Sequence, residues 1–292
     1  MSETLIPLLD LTTKLLMYLG MAAFLGGLFI SILCKEQPAL FRFIKRYMLV
    51  GTLLALSAVG ANFYAQVGSF AESGWEGMFD AMYVNMLWDS SVGESLILRF
   101  TVLCIILLLL LLSRHKLTLS LVMIGLSVLL AASFSLIGHT AELSLILRAL
   151  LGIHVLIALL WIGSLLPLWQ ACRGSLAIPS LQRLMHQFGL MAMGLVSVLL
   201  VCGVILAYQL LGSINELIST PYGLMLLAKV VLVGGILGFA AWHKWRLVPQ
   251  LTDQPAASRL QRSILLESIL GLAILIVTVL LTTVVGPASM SE

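Results

Sequence analysis

Charged side chains are scarce in this sequence of 292 residues. Lys, Arg, Asp and Glu together make up 10% of the chain, whereas 61% is hydrophobic and the mean hydropathy is +1.11. One soluble core cannot bury that much apolar surface, so the composition excludes a water-soluble domain. The sequence predicts an all-α, polytopic membrane protein with a single integral domain, residues 1–292. We expect it to be surrounded by lipid and to have no nucleic-acid partner.

Paired cysteines and known catalytic motifs are also lacking. The four cysteines stand singly with no C-x-x-C pair, which argues against a disulfide framework and against a thiolate metal cage. The chain has no H-E-x-x-H motif, no phosphate-binding glycine loop and no nucleophile–base pairing. No short apolar segment with a cleavage site precedes the first span, so we expect that helix to be retained. These absences lead us to expect a protein that is not an enzyme.

Long apolar runs are what the sequence does contain. Runs of about 20 residues are long enough to cross the hydrocarbon core as helices. They predict a bundle of eight transmembrane helices: 11–34, 46–68, 95–113, 117–138, 145–171, 187–211, 222–243 and 263–285.

The loops between these helices alternate in charge. The second, fourth and sixth loops contain no Lys or Arg, and the odd loops contain twelve. These are Lys35, Arg42, Lys45, Arg46, Arg114, Lys116, Arg173, Arg183, Lys244, Arg246, Arg259 and Arg262. Because cytoplasmic loops retain Lys and Arg during insertion, we expect the odd loops inside and both termini outside, in the periplasm.

Two histidines lie in or beside the fourth and fifth predicted spans. His139 falls at the outer boundary, and His154 lies about ten residues into span 5, roughly 15 Å deep. A buried imidazole needs a partner in the membrane, and it is also the commonest protein ligand for metals. His154 is therefore a ligand of a metal or of a haem iron, for a metal together with His139, or it forms a hydrogen bond between helices with a Ser or Tyr.

Methionines recur at every fourth position of the second loop. Met78, Met82 and Met86 would share one face if this segment were a continuous helix. Thioethers favour Cu(I), and imidazole suits copper in either oxidation state. Aromatic residues flank the methionines, so without the histidines the segment would be interpreted as an amphipathic helix at the membrane interface.

Other polar residues mark the inner and outer halves of the spans. His186 and His243 lie near the inner face, as a second candidate metal pair or as ordinary interfacial residues. Glu267 is the only acid that these boundaries place within a span. Four cations fall in the outer half, where their side chains can extend to the interface or pair with acidic loops: Lys14, Arg99, Arg148 and Lys229.

The second half of the chain carries motifs of a known family. These are "GHTA" at 138–141, "HVLIALLWIGSLLPL" at 154–168, "YGLMLLAKVVL" at 222–232, "RLVPQL" at 246–251 and "QRSILLESILGLAILIVTVLLT" at 261–282. Over residues 135–285 the sequence resembles the bacterial CopD/PcoD copper-resistance membrane proteins, including the related YebZ-type proteins. The His-x6-Trp-x-Gly pattern and the Gly-His pair are the most specific elements of this resemblance.

The resemblance implies an eight-helix protein of the bacterial inner membrane that handles copper together with a periplasmic CopC-type copper-binding protein. It points to His139 and His154 as the functional histidines. It also marks four motif positions whose role it does not assign: Trp161, Lys229, Arg262 and Glu267.

Three functions fit these observations. The first is copper transport across the membrane, with Cu+ or Cu2+ passing between His and Met ligands in spans 4 to 7, inward from periplasm to cytoplasm. The second is electron transfer by haem b held between histidines of neighbouring helices, since haem iron accepts the same ligand. The third is a partner-docking protein whose histidines are structural.

Overall fold

The structure, a computed structural model, describes residues 2–34, 38–112, 116–137, 144–211 and 215–285. These residues form helices and short connections, with no strand among them. The α-helices are α1 (Ser2–Leu33), α2 (Pro38–Ala71), α3 (Trp75–Met78), α4 (Ala81–Trp88), α5 (Ser91–Leu112), α6 (Lys116–Ala132), α7 (Leu145–Gln170), α8 (Ile178–Leu210), α9 (Glu216–Ser219), α10 (Pro221–Trp242) and α11 (Gln254–Leu280).

Seven of these helices are long and apolar enough to cross a membrane: α1, α2, α5, α7, α8, α10 and α11. The apolar part of α6, with the 3-10 turn Ser133–Ser135 that follows it, is shorter. The structure thus confirms an all-α, polytopic membrane protein. The count of eight spans and the orientation of the termini stay predictions.

Several predicted helix starts were too late. The second span was predicted from residue 46, whereas α2 begins at Pro38, and α8 and α11 each begin nine residues before their predicted starts. Arg42, Lys45 and Arg46 consequently lie on α2 rather than in a loop. A hydropathy window ends where the apolar run ends, but the helix continues because its backbone hydrogen bonds are satisfied in water as well.

The chain packs as two compact units. Unit 1 contains residues 1–21 and 49–156, and unit 2 contains residues 22–48 and 157–292. In unit 1, α4 packs on α2 through Phe63, Val67 and Leu87. The prediction of a single integral domain stays a prediction.

A glycine lies in the π-helical turn Ala171–Ser175, which follows α7 directly. Gly174 has φ of 81°, a left-handed conformation that residues with a side chain adopt only with strain. The guanidinium of Arg173 lies 5.0 Å from the ring centre of Trp169 in the preceding turn. This ending turns the chain toward α8.

Candidate functional site in the membrane-spanning helices

A buried carboxylate joins two helices of unit 2. Glu267, on α11, is 3% exposed, and its Oε1 accepts a hydrogen bond of 2.9 Å from the indole Nε1 of Trp161 on α7. Its Oε2 lies 3.4 Å from Nδ1 of His243, at the end of α10. Two of the motif positions without an assigned role, Trp161 and Glu267, are therefore direct partners.

His243 has a partner at each ring nitrogen. Its Nε2 lies 2.7 Å from the hydroxyl of Ser263, one turn before Glu267 on α11. The i, i+4 spacing of Ser263 and Glu267 places both on the helix face toward His243. Phe239 lies one turn earlier on α10, with 6.4 Å between its ring centre and that of His243. The imidazole is thus held in one orientation.

The Glu267 carboxylate favours one tautomer of the His243 imidazole. An acceptor beside Nδ1 favours the tautomer that carries its proton there, so that Nε2 keeps its lone pair and accepts from the Ser263 hydroxyl. Histidines that bind metals commonly donate their second ring N–H to a carboxylate in this way. In that tautomer, Nε2 of His243 has a lone pair that is covered by the Ser263 hydroxyl. We call Trp161, His243, Ser263 and Glu267 the inner network.

A close helix crossing lies within one turn of Trp161. A methyl group added at Gly163 would lie 1.7 Å from the carbonyl oxygen of Ala22, and one added at Gly26 would lie 2.0 Å from the carbonyl carbon of Gly163. The hydroxyl of Tyr47 donates to the Gly163 carbonyl at 3.0 Å. Only glycine fits between the backbones of α1 and α7, which accounts for the Trp-x-Gly part of the motif.

Of the two outer histidines, only His154 lies within the described residues. His154 is half-buried on α7. His139 lies outside the described residues. The predicted His139–His154 pair therefore stays a prediction.

The methionine segment is not one continuous helix, so Met78 does not share a helix face with Met82 and Met86. Met78 ends the short α3 and is 3% exposed, near Gly68 of α2. Asp80 then adopts an extended conformation and caps α4 by accepting from the Met82 backbone N–H at 2.8 Å. Met82 and Met86, 71% and 55% exposed, share α4 without Met78, because the Asp80 cap starts a new helix.

The remaining candidate residues lie outside the inner network. His186 is exposed on α8, and Arg262 is exposed on α11. Lys229 is half-buried on α10, and within the described part of the chain no hydrogen bond or ion pair reaches it. His186 and His243, the predicted inner pair, are therefore not in the same cluster. His243 lies in the inner network and His186 does not.

Unit 1 contains a second buried polar cluster, which the sequence analysis missed. Asp10 of α1 accepts from Asn62 of α2 at 2.7 Å, and Gln66 donates to Asn62 at 2.8 Å. Glu267 is therefore not the only acid within a span. The first span had been predicted from residue 11, so Asp10 fell just outside it. The i, i+4 pairs Asp10/Lys14 and Asn62/Gln66 were the available signal.

Arg99 corrects another expectation. Instead of extending to the interface, its side chain is buried, with Nε donating to Ser133 Oγ at 2.9 Å. Its guanidinium lies 4.5 Å from the ring centre of Phe134. The neighbouring 3-10 turn supplies both partners, which a hydropathy profile cannot reveal.

No group of three or more His, Cys, Asp or Glu side chains able to hold a metal ion occurs among the described residues. The inner network contributes one imidazole and one carboxylate. Any ion bound there would therefore need further ligands from water, sulfur or a carrier.

Comparisons with known proteins match both halves of the chain. Residues 5–145 match the family model described as "Copper resistance protein D-like, N-terminal domain". Residues 182–281 match the model described as "Copper resistance protein D". Searches of curated proteins and of solved structures each found no significant match.

Proposed function

Because the chain belongs to the CopD copper-resistance family and is a multi-pass membrane protein, we propose that it transports copper inward across the bacterial inner membrane. It acts as a carrier of the ion, without enzymatic chemistry. A periplasmic CopC-type protein delivers the copper.

The observation that carries this proposal is the arrangement of His243. A carboxylate at Nδ1 and a hydroxyl at Nε2 hold the His243 imidazole in a span of the family-matched half. Copper that arrives displaces the Ser263 hydroxyl and bonds to Nε2, while Glu267 stabilises the added positive charge. The hydroxyl returns when the ion leaves, so Nε2 always has a partner.

Weak binding at each position makes transport feasible. An ion moves through a membrane only if each site is favourable enough to accept it and weak enough to release it. A single imidazole that must replace an existing hydrogen bond meets this requirement. We assign the same role to His154 with His139, and assign first capture to the exposed Met82 and Met86.

Copper uptake into proteoliposomes tests the proposal. Wild-type protein should accumulate copper inside vesicles, and His154→Ala, His139→Ala and His243→Ala should each abolish most of the uptake. His115→Ala, in a basic loop of the sequence, is the control and should transport normally. Normal uptake by His243→Ala would refute the role of the inner network, and absence of uptake by wild-type protein would refute transport.

A visible absorption spectrum of the purified protein, taken with its metal content, separates transport from electron transfer. The proposal expects copper in the protein and no haem Soret band. A stoichiometric Soret band that His154→Ala or His243→Ala removes would replace the transport proposal by haem-based electron transfer.

A further inference from the structure

A concave surface lies in unit 2 where α10 ends, and the space that it partly encloses has a volume of about 600 Å³. Its lining residues are Ala241, Trp242, Trp245, Arg246, Leu247, Gln250 and Arg259. The π-helical turn His243–Leu247 follows α10 directly and supplies three of them. The concave surface is separate from the inner network, which lies among α7, α11 and the end of α10.

Two arginines give this surface its charge. Arg246 and Arg259 are both exposed, and within the described part of the chain neither guanidinium has a hydrogen bond or ion pair. The nearest acid in sequence, Asp253, is occupied as the N-cap of α11, where it accepts from the Ala256 backbone N–H at 2.8 Å. The charge of the arginines is therefore available to an anion.

Two tryptophans indicate how deep in the membrane the concave surface lies. Trp242 and Trp245 are 57% and 71% exposed, at the end of the apolar span Pro221–Leu247. Tryptophan side chains concentrate where the hydrocarbon region meets the headgroups. We therefore expect the two arginines to lie at headgroup level.

We propose that this concave surface binds the headgroup of an anionic phospholipid. Arg246 and Arg259 contact the phosphate, for which the planar guanidinium is well suited because it can donate two parallel hydrogen bonds. Trp242 and Trp245 pack against the glycerol region, and Leu247 and Ala241 contact the upper acyl chain. Basic pockets between membrane helices recognise such lipids by the same combination of charge and apolar contact.

The combination of two arginines with exposed indoles and an apolar wall favours a lipid over free phosphate. Inorganic phosphate would use the arginines alone and would leave the exposed indoles and apolar wall in water. A phospholipid covers both parts of the surface at once. The inference is independent of copper transport, since no residue of the inner network lines the surface.

Lipid-dependent thermal stability tests the proposal. Full-length protein in a neutral detergent is titrated with phosphatidylglycerol, phosphatidylcholine or inorganic phosphate, and its unfolding temperature is recorded. Phosphatidylglycerol should raise that temperature well above the effect of the other two. Each arginine near an anionic membrane surface contributes roughly a fivefold gain in affinity. Arg246→Gln/Arg259→Gln should therefore weaken the lipid effect by at least about tenfold.

The matched control removes two exposed arginines elsewhere in unit 2. Arg42→Gln/Arg46→Gln, on α2, should keep the full response to phosphatidylglycerol. An equal loss in both pairs would mean that total charge, not this surface, attracts the lipid, and would overturn the proposal. An equal effect of inorganic phosphate would show a simple anion site and would also overturn it.

Fluorescence quenching gives a second measurement that does not depend on unfolding. Phosphatidylglycerol brominated near the top of its acyl chains should quench wild-type tryptophan fluorescence more than brominated phosphatidylcholine does. Trp242→Phe/Trp245→Phe should lose this difference, and so should Arg246→Gln/Arg259→Gln. If the arginine variant retains the difference, the arginines do not hold the headgroup and the assignment is wrong.

Discussion

The indole Nε1 of Trp161 donates a hydrogen bond of 2.9 Å to the buried Glu267 Oε1, joining α7 to α11 within unit 2. The other carboxylate oxygen faces His243. Trp161 therefore holds the Glu267 carboxylate in place, and Glu267 in turn orients His243, the candidate copper ligand.

Removing the indole donor should weaken the fold measurably. Trp161→Phe keeps one aromatic ring of the indole, but Glu267 Oε1 is left in a buried site without its donor. A hydrogen bond to a charged group contributes about 1.5–3 kcal/mol, so the unfolding temperature in detergent should fall. Trp169→Phe, which still presents an aromatic face to Arg173, is the control and should change it little.

A double-mutant cycle identifies the hydrogen bond as the cause. Glu267→Gln removes the charge, so Trp161→Phe should cost less in that background, with a coupling of about 0.5–3 kcal/mol. Strictly additive effects would show that Trp161 acts only by packing.

Loss of the Ser263 hydroxyl should strengthen copper binding at His243. If copper must displace this hydroxyl, Ser263→Ala removes the competitor, and copper affinity should rise by up to roughly fivefold, the equivalent of one ordinary hydrogen bond. Isothermal titration with Cu(I) held by a competing chelator measures the change. Ser268→Ala is the control, because Ser268 donates only to its own helix at Ile264 O. Weaker copper binding in Ser263→Ala would make the hydroxyl a ligand or a structural group instead.

Substitution at the helix crossing should be severely destabilising. A methyl group at Gly163 would lie 1.7 Å from the Ala22 carbonyl oxygen, so α1 and α7 must separate. Overpacking of this kind costs about 1–3 kcal/mol or more, and Gly163→Ala should lower both the unfolding temperature and the yield of folded protein. Gly189→Ala is the control, since among the described residues no atom outside the adjoining backbone of α8 lies within 4 Å of its added carbon. There, alanine should stabilise α8 by roughly 0.5–1 kcal/mol. Equal behaviour of the two variants would contradict the close crossing.

The exposed methionines should matter for copper capture, and the buried one should not. Met82→Leu/Met86→Leu should reduce copper uptake when copper is scarce, because the soft thioethers are lost, and the defect should shrink at high copper. Met78→Leu keeps a buried apolar side chain of similar volume and should cost less than about 1.5 kcal/mol in stability with uptake unchanged. Wild-type uptake by the double variant at every copper concentration would leave these residues as membrane contacts.

Cysteine labelling checks the orientation that the loop charges predict. In a variant without native cysteines, Trp75→Cys should react with an impermeant reagent from the periplasmic side, and Ser180→Cys only after the membrane is opened. This expectation follows from the twelve Lys and Arg residues that the sequence analysis assigned to the odd loops. The reverse pattern would turn the proposed direction of transport around.

Composition and hydropathy were sufficient for the class of fold, and they located α5, α7 and α10 to within a few residues. They failed at helix ends rich in charge, such as the start of α2 at Pro38, because apolarity marks the hydrocarbon core and not the end of a helix. They also failed at Met78, where the Asp80 cap interrupts a pattern that still has helical spacing.

The sequence identified individual residues of the candidate site but not the contacts between them. His243 and Glu267 were each identified, yet their contact depends on how α10 and α11 pack, which no spacing along the chain encodes. Arg99 shows the same limit, since its partner Ser133 lies in a 3-10 turn 34 residues away.

The glycine crossing has a consequence for how this sequence can change over time. At Gly26 and Gly163 the obstacle to a larger residue is the facing main chain, not a facing side chain. A clash between side chains can be relieved by a smaller partner, but a main chain cannot be made smaller. A substitution at either glycine therefore cannot be compensated by a second substitution across the interface. The two positions are constrained independently of each other.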